Sequence, residues 1–254
     1  MATDFHTAAD DFFVNLTLET VVDLPSSSET VLHFCEAVRR QFPAMSNFYR
    51  REDEGGQPRQ GPFVLEGDRE SGSYQWMELQ GNQLTAGWFN PPDVQQAFAM
   101  HAWLLDRSIY FLGVTGIDVE AVEILIGFNL DFQGNRDAVV ASALLGSSPL
   151  SAVLGEAGAI IECEPNFVIA LDEECCMQGR VYLATRSSSY QVRTGQFSPE
   201  PISVYMAIRS FPRLGHVADF ASEFPQQCSA CEDIARRIVV PNIVRPIASA
   251  IAAH

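Results

Sequence analysis

The chain runs to 254 residues, 47% of them hydrophobic letters, which is enough apolar material for a large buried core and too much for a disordered segment. Asp and Glu number 32 against 16 Lys and Arg, leaving a formal net charge of -16. A field of that sign repels phosphate backbones, and basic residues occur only as dispersed pairs such as Arg39/Arg40 and Arg236/Arg237, so nucleic acid is not expected as a partner.

The N-terminus, MATDFHTAADDFF, has no basic segment followed by an apolar run, so no secretory signal is read. No run of about 18 uninterrupted apolar residues occurs, so no membrane span is expected. The expected location is the cytoplasm, where the six cysteines stay reduced.

In chain order, FFVNLTLE (12–19) alternates Phe12, Val14, Leu16 and Leu18 with polar residues, the pattern of a half-buried strand. Pro25 and three serines follow as turn and cap, and ETVLHFCEAVRRQF (29–42) reads as an amphipathic helix ending before Pro43. Segment 50–61, polar and rich in glycine, reads as a mobile loop. Short strands are expected at 63–67, 73–79 and 83–89. Asn90-Pro91-Pro92-Asp93 then opens a helix reaching about Leu112, with apolar residues at i, i+3, i+4 spacing.

From about Thr115 the order begins again. VEILIGFNLDF (122–132) alternates like the first strand, and Asn135 caps a helix at 136–146. Strands are expected at 166–174, 179–193 and 202–211, and a closing helix from about Cys228 to Val240, where Pro241 interrupts. The pentapeptides SGSYQ (71–75) and SSSYQ (187–191) would then be one strand in two copies. The competing reading is coincidence within a single domain.

The expected fold is α+β: a mainly antiparallel, curved sheet of about eight strands with helices on one face. A β-α-β-β-β-α unit is read twice, over 1–117 and 118–254, in one compact body. This element order resembles the duplicated saddle-shaped sheets of the TATA-binding-protein type and, less closely, the acidic dimeric chaperones of secretion systems. The resemblance rests on element order alone and implies a saddle with a docking surface.

Cys228-Ser-Ala-Cys231 is the one recognisable chemical spacing. At a helix N-terminus it would favour thiolate, although Glu232 and Asp233 oppose this. Cys175 and Cys176 could join that pair around a metal only if the chain kinks between them, because neighbours in a strand face opposite ways. Buried or surface thiols are the plainer reading, and no cofactor is expected. His101 lies among apolar helix positions, as a core histidine would. The clusters Asp172-Glu173-Glu174 and Glu52-Asp53-Glu54 read as solvated turns. Trp76, Trp88, Phe89 and Trp103 read as core before contact surface.

One set of polar residues stands out. If both halves share a sheet, Asn15, Thr17, Glu19, Asn129 and Asp131 line one acidic face. The expected function is therefore non-catalytic: a cytoplasmic adaptor, chaperone-like or assembly protein. It would bind a protein partner, basic by charge complementarity, through that face. The apolar C-terminal run IVVPNIVRPIASAIAA (238–253) would serve a homodimer if exposed, or pack on its own core. The alternative is a small apolar-ligand protein or thiol-dependent enzyme with a pocket between sheet and helix.

Overall fold

The computed structural model describes residues 5–51, 61–152, 158–213, 215–217 and 219–253. Most of the expected loop at 50–61, with Glu52, Asp53 and Glu54, lies outside them.

Nine strands form a single open antiparallel sheet. They are β1 (Asp11–Thr20), β2 (Asn47–Arg50), β3 (Phe63–Glu66), β4 (Tyr74–Gln80), β5 (Gln83–Phe89), β6 (Val119–Leu130), β7 (Asn166–Ala170), β8 (Met177–Ala184) and β9 (Ile202–Ser210). Their spatial order is β2-β3-β4-β5-β1-β6-β9-β8-β7. β1 and β6 sit at the centre; β5, β4, β3 and β2 follow outward beside β1, and β9, β8 and β7 beside β6.

The alternating pattern sets the register of the central pair. Leu16 faces Ile124 and Val14 faces Ile126, so the apolar faces of β1 and β6 coincide. Phe12, Val14, Leu16, Leu18, Ile124, Ile126 and Phe128 are all buried on that side. Val204, Met206 and Ile208 of β9 continue the layer.

Helices cover this face. α1 (Ser28–Gln41) begins at Ser27, whose side chain accepts from the Thr30 N–H, and inserts Val31, Phe34 and Val38 into the core. α2 (Val94–Phe111) is capped by Asp93 and buries Ala97, Met100, His101, Leu104 and Leu105. α3 (Arg136–Leu145) starts at Asn135, as its sequence predicts. Helix α4 (Ser189–Thr194) is short, and α5 (Phe220–Ile234) packs on β6 and β9.

Three expectations are corrected. β2 has no counterpart in the sequence reading, because its four residues are all exposed and carry no alternation. The strand expected over 179–193 stops at Ala184, and SSSYQ enters α4. Tyr74 stands in a strand and Tyr190 in a helix, so the pentapeptides are not one element repeated.

A single letter explains the divergence. In SGSYQ the second position is Gly72, which takes a left-handed φ of 75° and turns the chain into β4. In SSSYQ it is Ser188, whose side chain accepts from the Gln191 N–H while Gln191 reaches back, a reciprocal cap that starts a helix.

A further correction concerns the C-terminus. Pro241 does not end the helix: Ala235–Val244 is a π-helix that runs on into α6 (Arg245–Ala252). A proline has no N–H to give and crowds the carbonyl one turn back. The wider turn relieves both demands, and the Arg245 N–H reaches Val240 O, five residues back. Val239, Val240, Val244 and Ile247 are buried in the chain's own core, so one face of this run packs inward, while Ile238 on the other face is 54% exposed. No helix among the described residues is long and apolar enough to cross a membrane.

Candidate functional site

Side chains alternate, so the residues between the buried ones face away from the helices. On β1 these are Asp11, Phe13, Asn15, Thr17 and Glu19, all half-buried or exposed. Asn129 shares the face from β6, and Asp131 lies just past the end of that strand.

The expected polar residues do not converge. Asn129 is opposite Asp11 at one end of β1, and Glu19 is at the other. Asn129 accepts from Ser203 Oγ at 2.8 Å, and Ser203 accepts from Arg186 at 2.9 Å. Glu19 accepts from Gln83 at 3.0 Å and pairs with Arg209, which also stands 3.8 Å from Glu123. Burial raises the Glu123 carboxyl, Arg209 lowers it, and Glu19 raises it again. Burial raises the Asp131 carboxyl as well, with Asp10 and Asp11 adding to the effect.

Other carboxylates of this face are paired. Glu66 pairs with Arg69 at 2.6 Å and Glu78 with Arg51 at 3.1 Å, so much of the face's negative charge is answered locally.

Between the two polar ends lies a feature that single-strand reading missed: a row of rings crossing the sheet. Tyr74 stacks on Phe89 with centroids 5.4 Å apart, and Phe89 lies 6.3 Å from Phe13. Phe13 meets Tyr205 edge-on at 6.0 Å, and Tyr205 stacks on Tyr182 at 4.5 Å. Phe13 and Tyr205 touch across β6 because the residue between them is Gly127, which brings no side chain. Beside the row, Trp76 leans over Gly87, next to Asn15. All five rings are half-buried.

Phe89 and Trp76 thus belong to the open face, while Trp88 and Trp103 pack against the core as expected. Arg180 sits 4.5 Å over the Tyr182 ring, and Arg186 donates to the Tyr205 hydroxyl at 2.8 Å. The signal available in the sequence was Phe13, an aromatic on the polar side of an alternating strand.

The thiols lie elsewhere. α5 begins at Phe220 under an Asp219 cap, so Cys228 and Cys231 are interior to the helix and not at its N-terminus. Both are buried, Cys231 completely, and burial first, then neighbouring charge, raises both thiols well above the usual range. Cys231 Sγ approaches Met206 O at 3.6 Å.

Cys175 and Cys176 occupy the β7–β8 turn, where Cys175 has a φ of 56° and Asp172 accepts from the Cys176 and Met177 amides. The kink that a shared metal would need is present, but the two cysteine pairs stand on different elements. No group of three or more metal-ligating side chains occurs among the described residues. Burial, with Asp172 and Glu174, raises the Cys176 thiol.

A cavity of about 410 Å³ beside this turn is lined by Asp172, Cys176, Arg213, His216 and Glu223, among others. Another of about 320 Å³ lies between α2 and α5, not between sheet and helix, against Phe98, Ala102 and Cys228. His101 is fully buried with neither ring nitrogen hydrogen-bonded, and burial lowers it to about 3, so it stays neutral. Compared with protein-family models, with curated proteins and with solved structures, the chain matches none of them.

Proposed function

We propose that the chain is a non-catalytic protein-binding module, an adaptor or assembly factor, that docks a partner on the sheet face turned away from α1, α2 and α5. The row Tyr74-Phe89-Phe13-Tyr205-Tyr182 carries this reading. Half-buried aromatic rings offer large contact area at small entropic cost and are the residues that concentrate binding energy at protein interfaces. Polar and charged groups flank the row along the strands, with Asn129, Ser203 and Arg186 on one side and Glu19, Arg209 and Glu123 farther off on the other. Hydrophobic centre and polar rim are the anatomy of such an interface.

The net charge of -16 favours a basic partner over an anionic one. The buried, proton-holding thiols support the non-catalytic reading. The mirrored strand order about β1 and β6 supports a doubled ancestry, although β2 adds a strand on one side and the two SYQ segments do not match.

The test is reconstitution. Proteins that co-purify with the native chain are identified, purified and titrated against the wild type and against a Tyr74→Ser/Phe89→Ser variant. The expected result is binding weakened by about tenfold or more. A partner that binds both proteins equally, with the variant folded by circular dichroism, overturns the reading.

A further inference from the structure

β7 closes one side of the sheet, and all five of its residues are exposed: Phe167 at 63%, Val168 at 60% and Ile169 at 47%. Its free edge has a definite phase. The Leu171 N–H donates to Met177 O at 2.8 Å and the Leu183 N–H to Pro165 O at 3.1 Å. In an antiparallel pair these bonds alternate, so residues 165, 167, 169 and 171 address β8. Asn166, Val168 and Ala170 therefore turn their N–H and C=O groups outward.

Sheets guard such edges with lysine, proline or a bulge. Within Asn166–Ala170 there is no charged residue and no proline. The opposite edge, β2, carries Arg50, folded over Phe63 at 4.5 Å.

The flanks of β7 decide what fits. Glu162 and Glu164 precede it, and Asp172, Glu173 and Glu174 follow. Glu174 is met by Arg213 at 3.4 Å, Arg180 reaches Asn166 at 3.0 Å, and Glu164 accepts from the Thr185 amide at 2.6 Å. The edge is thus uncharged in the middle and rich in carboxylates at both ends. A second copy laid antiparallel on β7 would set the acidic end of one strand against the acidic end of the other, which opposes self-pairing.

From this edge we infer that β7 accepts an extended segment of another protein as an additional strand, with alternating apolar residues in its centre and Lys or Arg at both ends. Main-chain hydrogen bonds to Asn166, Val168 and Ala170 would supply the affinity, and the carboxylates the choice of partner. The inference deepens the protein-binding reading but does not use the aromatic row.

Two synthetic peptides probe it by fluorescence anisotropy on the full chain: alternating Val and Thr, flanked by lysines in one and by glutamates in the other. The expected result is that the lysine peptide binds at least about tenfold tighter than the glutamate peptide. Val168→Pro should weaken it by about tenfold, since proline removes one outward N–H and leaves the bonds to β8 intact. Tyr74→Ser/Phe89→Ser should bind the peptide normally, which separates this inference from the ring-row reading. Equal binding by wild type and Val168→Pro, or no binding of the lysine peptide, overturns it. Sedimentation showing a dimer that Val168→Pro dissolves would assign the edge to a second copy and overturn it as well.

Discussion

The ring of Phe13 lies against Gly127 on the neighbouring strand so closely that a Cβ at Gly127 would clash with its ring carbons. Gly127→Ala must therefore push the ring aside, and with it the contact between Phe13 and Tyr205. Overpacking of this kind costs about 1–3 kcal/mol. Urea denaturation should show that loss in Gly127→Ala and a smaller additional loss when Phe13→Ala is already present, because the two residues share one contact.

His101 predicts an acid-sensitive core. Burial holds it at about 3 in the folded chain, against 6.5 for an ordinary histidine. Between those values the unfolded chain binds the extra proton, so this contribution is complete above about pH 6.5 and is lost as pH falls toward 3. Each pH unit in that window removes up to about 1.4 kcal/mol. His101→Leu, which also removes two buried unpaired nitrogens, should melt no lower than wild type at pH 7 and fall less on acidification. Calorimetry of both proteins over pH 4 to 7 is the check; parallel curves would refute the assignment. Glu123 and Asp131, whose raised carboxyls act in the opposite sense, are common to both proteins and cancel in the difference.

Arg136 predicts the largest single loss. Its guanidinium is fully buried and donates to Thr185 O at 2.6 Å, Ser198 O at 2.8 Å, Glu200 O at 3.1 Å and Arg186 O at 3.4 Å. Next to it, Asp137 accepts from the Cys163 N–H and the Thr185 hydroxyl. One side chain thus ties the start of α3 to the chain leaving β8 and the chain entering β9. Arg136→Met leaves those carbonyls without donors, a cost of about 3–5 kcal/mol. Hydrogen exchange should speed up across 185–200 more than in β1 or β6.

How much of this was legible follows from what each residue announces locally. β1 and β6 were readable because alternation is a property of the strand itself, and the serines before α1 and Asn135 before α3 were readable as caps because capping needs only a few neighbours. β2 was invisible because an exposed edge of four residues has no apolar face to declare. α5 begins at Phe220, eight residues before the expected start near Cys228, and carries Pro225 inside it. That error made Cys228 look like a helix terminus. Arg136 read as an ordinary first-turn residue, since its carbonyl partners come from about 50 residues away. Phe13 alone hinted at the ring row; its course needed the cross-strand register that puts Phe13, Gly127 and Tyr205 in line.

The central pair also sets the tempo of folding. β1 closes one side with β5 early, but its other side waits for β6, about a hundred residues further along the chain. Contacts so distant in sequence form slowly, because the loop must close before any bond repays it. While the chain is being synthesised, the edge of β1 that pairs with β6 therefore has no partner until β6 has left the ribosome, and unpaired strand edges of this kind favour aggregation.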